Sequence, residues 1–185
     1  MKLLKKTILD PEDRRKDNSD KKELFTKELH PKKANTYKDE WGFIQEKIER
    51  ENIAYQLQYL EFMTNLYNEY QIYLTTESLL AKNLIITIAG IIESALFNLI
   101  SQIGRKHDFK LEDRTEFLKA IDMAYGASLI DTEMRDAFHG LRKIRNSLHL
   151  TGTTYQEHQA YTVDQVNKYL KVLEKFRVRM LEEDR

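Results

Sequence analysis

The chain has 185 residues, with no cysteine, only 2 prolines and 6 glycines, and 30 basic residues against 30 acidic ones. That length suits one domain with a proper core, and so few breakers favour helices over a turn-rich β fold. A formal net charge of zero excludes a globally basic nucleic-acid binder, and the lack of cysteine excludes disulfides, thiolate metal sites and a cysteine nucleophile.

Residues 1–38 read as a charged N-terminal arm, and residues 39–185 as the helical domain. The arm is dense in charge of both signs, as in Arg14-Arg15-Lys16 and Lys21-Lys22-Glu23, and sparse in apolar side chains. Such a segment has little to bury on its own. Residues 1–6 lack the long apolar run of a signal peptide, so a cytoplasmic chain is expected.

From 41 to about 73 the pattern predicts one long helix. Ile44, Ile48, Tyr55, Tyr59, Phe62, Met63, Leu66, Tyr70 and Tyr73 recur at spacings of three, four and seven. The stripe reads as core or subunit interface before it reads as a base-stacking platform. Thr75, Thr76 and Glu77 suit a break and a new N-cap. A second helix is expected over about 77–104. Its centre, 84–100, is the most apolar part of the chain. That run is slightly short for a membrane span and carries Glu93 near its middle, which predicts a central core helix and no membrane association. A buried carboxylate needs a partner, and Arg142, Arg145 and His149 are the candidates. The plainer alternative turns Glu93 to solvent.

A shorter helix over about 112–125 would point Phe117, Leu118, Ile121 and either Met123 or Ala124 inward, with Gly126 ending it. Asp131 suits the N-cap of the next helix, with Thr132 and Glu133 in its first turn. Along that helix Leu141, Ile144 and Leu148 make an apolar stripe. Arg142, Asn146 and His149 sit at i, i+4 and i+7 on another face, and Arg145 flanks them. A guanidinium offers a fork of donors to phosphate oxygens, an imidazole exchanges protons near neutral pH, and a carboxamide can orient either. His139 reads as an exposed helical histidine near this face. The loop that follows includes Thr151, whose hydroxyl could help hold a phosphate. Thr162 and Gln165 make a capping box for a last helix with Val166, Leu170, Leu173, Phe176 and Met180 on one side. No Gly-rich phosphate loop, HExxH or EF-hand loop occurs, so no cofactor and no metal is called for.

Arg142, six residues and His149, with Arg145-Asn146 inside the interval, resembles the motif of the HEPN superfamily of helical bundles. The likeness runs from about residue 43 to the C-terminus. Arg142 fits the long end of the family spacing and Arg145 leaves three residues before His149, so both remain candidates for the functional arginine. The resemblance implies an all-α, up-and-down bundle of four to five helices and a metal-independent endoribonuclease. In such an enzyme the RNA 2′-hydroxyl attacks the adjacent phosphate, His149 moves protons, and Arg142 or Arg145 stabilises the growing negative charge. It also implies a homodimer that brings two motifs into one cleft, a role as toxin or in defence, and control by an antitoxin or other regulatory protein. Some members set an acidic residue opposite the motif, the place Glu93 would take. A subgroup is silenced by modification of a Tyr two residues after the His, where this chain has Thr151. The alternative is a non-catalytic binding or assembly module whose same face grips a nucleotide or a partner protein.

Overall fold

The computed structural model describes residues 30–106, 116–146 and 161–183, and among them are six helices and no strand. In chain order these are α1 (Ala34–Glu40), α2 (Lys47–Glu69), α3 (Leu74–Lys106), α4 (Phe117–Gly126), α5 (Thr132–Asn146) and α6 (Val163–Glu183). The fold is an all-α bundle, as the scarcity of Pro and Gly predicts. Its axis is α3, against which α2, α4, α5 and α6 all pack.

The single helix expected over 41–73 forms as α2 but is shorter at both ends, with a turn at 41–46 before it. The Trp41 amide donates to the Tyr37 carbonyl and closes α1, and the Ile44 amide donates to Trp41 to make the next turn. Trp41, Phe43 and Ile44 are all buried, so this apolar cluster folds inward as a corner instead of lengthening a helix. Trp41 and Phe43 stack at 5.2 Å between ring centroids. Gly42, a weak helix former, sits in the corner. The boundary expected between 38 and 39 falls inside α1. Tyr37 is fully buried there, and its hydroxyl donates to Glu61 of α2 at 2.6 Å. Burial drives that phenol far above its ordinary pKa, and the Glu61 hydrogen bond adds to the shift.

The apolar stripe expected on α2 is not the face that packs. Ile53, Ala54, Leu57, Leu60, Thr64 and Tyr67 are buried, and Glu61 with them. Tyr55, Tyr59, Phe62 and Tyr70 are exposed on the opposite side. Helix α2 is apolar on two faces, and a period of three and four fits both. Residues 70–73 make the next break, and Thr75 and Thr76 lie inside the first turn of α3.

Helix α3 spans 33 residues and supplies the centre of the core, with Leu84, Ile85, Ile88, Ala89, Ile92, Ala95 and Leu96 essentially inaccessible. Each large apolar side chain buried this way contributes about 1.5–3 kcal/mol. A window of Leu74–Gly104 with mean hydropathy 2.0 has the length and composition of a membrane span, and 61% of it is buried inside the bundle. That is the place of a core helix.

Helix α4 begins at Phe117, with Ala120, Ile121 and Ala124 inward and Met123 outward. Gly126 is its last residue, but the left-handed conformation falls on Ser128, at φ 60. Arg179 of α6 donates to the Ser128 carbonyl at 2.7 Å and holds this turn. Helix α6 starts with the expected box: the Thr162 amide donates to Gln165 at 3.0 Å and the Gln165 amide to Thr162 at 3.3 Å. Its buried face carries the five expected residues, and Phe176 meets Phe138 of α5 edge to face at 5.5 Å.

Candidate functional site at the end of helix α5

Three features set how α5 lies in the bundle. Asp131 is its N-cap, accepting the Met134 amide at 2.8 Å, and the same carboxylate takes Lys175 of α6 at 3.0 Å. Met134, Phe138 and Leu141 are buried. Gly140 lets α6 approach closely, because a Cβ there would lie 2.9 Å from the Tyr169 hydroxyl. With Leu141 held in the core, Arg142 and Arg145 emerge beside α3 and the start of α4.

There Arg145 Nη1 donates to Glu93 Oε1 at 2.7 Å. Of the three partners open to Glu93, the structure supplies Arg145. The Glu93 side chain is only 17% exposed and that of Arg145 38%. Burial pushes the Glu93 carboxyl above its ordinary range, and the Arg145 charge and hydrogen bond offset this in part. Desolvation wins because the carboxylate loses water on most sides and gains one cation on one side.

Arg142 stands differently. Its Nε is buried and has no hydrogen-bond partner among the described residues. It borders a cavity of about 340 Å³ shared with Arg145 and Asn146 of α5, Glu93 of α3, and Glu116, Phe117 and Leu118 at the start of α4. Asn146 is exposed at the rim. Phe117 and Leu118 form an apolar wall, which strengthens any ion pair made inside. Anion binding depends on the guanidinium groups, which suit the forked, charge-assisted geometry of phosphate and carboxylate.

His149 and Thr151 lie outside the described residues, so the geometry joins Arg142, Arg145, Asn146 and Glu93 and is silent on the other two. His139 is not a freely exposed histidine. Its Nε2 lies 3.4 Å from Asp122 Oδ1 of α4, and its side chain is 23% exposed, because α4 packs along this face of α5. It does not line the cavity. Glu116 was not singled out by the sequence pattern, and Phe117 and Leu118 had been assigned to the core alone. The sequence reading started this helix at about 112, so nothing in it marked 116–118 as a helix start. A larger groove, about 770 Å³, runs between α5 and α6. Its lysines and acids balance, and Lys175 is already shared by Asp131 and Glu133. Among the described residues no three His, Asp or Glu side chains gather as metal ligands would. No family model, no curated protein and no solved structure matches this chain, so its functional reading rests on the site itself.

Proposed function

We propose that the chain is a metal-independent endoribonuclease of HEPN type, with Arg142 as the arginine that holds the scissile phosphate. One observation carries this reading: Arg142 keeps a buried, unpartnered Nε beside a cavity, while Arg145 is engaged by Glu93. A buried donor without an acceptor costs roughly 1–3 kcal/mol, and a turn of the guanidinium toward the cavity would let a phosphate oxygen relieve that cost. In the reaction the 2′-hydroxyl oxygen bonds to phosphorus as His149 takes its proton. The bond to the 5′ oxygen breaks and that oxygen is protonated, leaving a 2′,3′-cyclic phosphate and a 5′-hydroxyl. Arg142 stabilises the charge on the non-bridging oxygens, and Asn146 orients a ligand oxygen at the rim. One imidazole serves two oxygens poorly, and a second copy of the chain would contribute a second His149. A toxin or defence role, restrained by a protein partner, suits such an activity.

The experiment is cleavage of RNA by the purified protein in EDTA. Wild type should cut, and His149→Ala should lose about two to four orders of magnitude in rate while staying folded. Full activity in His149→Ala, or no cleavage by wild type, would sink the catalytic reading. A second reading has its own support. Glu93 and Glu116 match the two arginines in number, so the cavity carries no net positive charge. A non-catalytic module that grips a nucleotide or a partner protein would bind without cutting, and Arg142→Ala would then abolish binding alone.

A further inference from the structure

We infer that the crevice between α4 and α5, which leads out of the Arg142 cavity, is a track for single-stranded RNA; this assignment rests on the ribonuclease reading and extends it to the form of the substrate. Two stripes meet along the crevice. Arg135, His139, Arg142 and Asn146 fall at i, i+4, i+7 and i+11 of α5, and Leu118, Asp122 and Tyr125 at i, i+4 and i+7 of α4. At 3.6 residues per turn each set spans roughly 60° of arc. The stripes pair rung by rung, in opposite chain directions. Leu118 and Arg142 border the cavity. His139 Nε2 lies 3.4 Å from Asp122 Oδ1. Arg135 holds its guanidinium over the Tyr125 ring, 4.6 Å from the centroid. From Arg142 to Arg135 is two turns, about 10.5 Å along the axis. That is the length of about three stacked nucleotides at ~3.4 Å each.

The far rung has the build of a stacking platform. Tyr125 is 38% exposed and the Arg135 side chain 35%. The Tyr125 and Thr132 hydroxyls are 3.3 Å apart, and Asp136 accepts from Arg135 Nε at 3.4 Å and Nη2 at 3.3 Å. Ring and guanidinium are held before a base arrives, and a base stacks on either kind of plane. The charges select stacking over phosphate contact. Asp136 and Asp122 stand beside Arg135 and His139, and the whole chain has no net charge. A strand met by so few free cations gains its affinity from its bases, and only unpaired bases offer their faces. Duplex RNA keeps those faces inside and is read through its backbone, for which this crevice offers little. Tyr125 and Arg135 sit by the start of α5 and Arg142 near its end, so the platform and a shared pair of motifs occupy different ends of the helix.

Two probes separate the track from the chemistry. One is cleavage of a single-stranded RNA oligomer against a dinucleotide, which carries a scissile phosphate but is too short to reach Tyr125. The other is binding, by fluorescence anisotropy, of the same oligomer with 2′-O-methyl groups, which lacks the attacking hydroxyl and cannot be cut. Tyr125→Ala should lower kcat/KM on the oligomer, and affinity for the methylated strand, by about 10- to 100-fold. The dinucleotide should be cut as before. Tyr125→Phe keeps the ring and should restore most of both. Tyr125→Leu keeps apolar bulk beside α5 and should lose both while melting as wild type does. Met123→Ala, exposed on the other side of α4, should change nothing. A methylated duplex of the same sequence should bind more weakly than the single strand. Cleavage indifferent to Tyr125, equal losses on dinucleotide and oligomer, full activity in Tyr125→Leu, or a duplex bound as tightly as the single strand would overturn the track and leave the ribonuclease reading standing. A protein that cuts nothing but binds the methylated strand through Tyr125 would uphold the track and end the ribonuclease reading. A wild type that neither cuts nor binds would end both.

Discussion

Helix α5 has an acid–base cluster at each end, and the two behave in opposite ways. At the start, Asp131 accepts the Met134 amide and Lys175, with Arg179 at 3.9 Å. Its carboxyl is held below the ordinary range, chiefly by the backbone amide and then by the two cations, against a burial cost that is smaller. At the far end Glu93 has one cation, is mostly buried, and is pushed up. The first cluster has a donor for each of its carboxylate oxygens and faces water. The second is partly open, with the Arg145 side chain 38% exposed, and the Arg142 Nε lies buried beside its cavity. A satisfied cluster holds a helix in place, and an unsatisfied one beside a cavity is where a ligand adds most. That difference is the reason the proposed site is placed at the end of α5 rather than at its start.

The sharpest way to break this contrast is Arg142→Ala. Under the proposed function it should lower RNA cleavage by about two to four orders of magnitude. Its melting temperature should not fall, because the substitution removes an unsatisfied buried donor instead of a made bond. If cleavage survives and melting drops, Arg142 is a structural residue and the two ends are alike after all.

Arg145→Ala tests the other arginine. Breaking a fully buried pair costs about 3–5 kcal/mol, and the partial exposure of Arg145 reduces that to about 1–2 kcal/mol here. Calorimetry should show a fall of several degrees, at ~2–4 °C per kcal/mol. Adding Glu93→Gln should restore most of the loss, since no bare carboxylate then remains in the site. A double variant as unstable as Arg145→Ala would mean that packing of the guanidinium, not its charge, supports the helix. Cleavage should fall less in Arg145→Ala than in Arg142→Ala.

What could be read from the sequence follows from how local each feature is. The Asp131 cap and the Thr162–Gln165 box involve partners three residues apart, so their residue types announce them. The buried side of α6 is a single stripe and is equally plain. That Glu93 needs a partner follows from its apolar neighbours, but the choice of Arg145 over Arg142 depends on how α5 is rotated against α3. That rotation is set by Leu141, by the clearance at Gly140 and by Lys175 reaching Asp131, none of which lies near Glu93 in sequence. On helix α2 the choice of buried face was hidden for a different reason. Its two apolar faces have the same period, and the buried one includes Glu61 and Thr64, which a hydrophobic pattern rejects. Glu61 is admitted by the Tyr37 hydroxyl and the Lys32 amide, both from the far side of the corner at 41–46.

At the start of α5 a smaller effect is expected. Asp131→Ala removes the cap and should cost about 1 kcal/mol, a shift of ~2–4 °C in melting. Asp131→Asn keeps an oxygen for the Met134 amide and should cost less. An Asn variant as damaged as the Ala variant would give the two cations, and not the cap, the larger share.

The smallest effect is in the pH dependence of melting, and its sign separates the clusters. Asp131 has a folded pKa below its unfolded one, so its contribution is present above about pH 3.9 and is lost as pH falls through the folded value. Glu93 has a folded pKa above its unfolded one. Its contribution is present below about pH 4.3 and is lost as pH rises through the folded value. The two oppose each other in the acid range, while Glu51, held low chiefly by its Lys38 hydrogen bond, adds to the loss of stability on acidification. Asp131→Asn removes one term that weakens the fold as pH falls, and should flatten the acid limb. Glu93→Gln removes the opposite term, and should make the loss of stability on acidification steeper. If both variants change the profile in the same direction, the two carboxyls share one environment and the contrast between the ends of α5 fails.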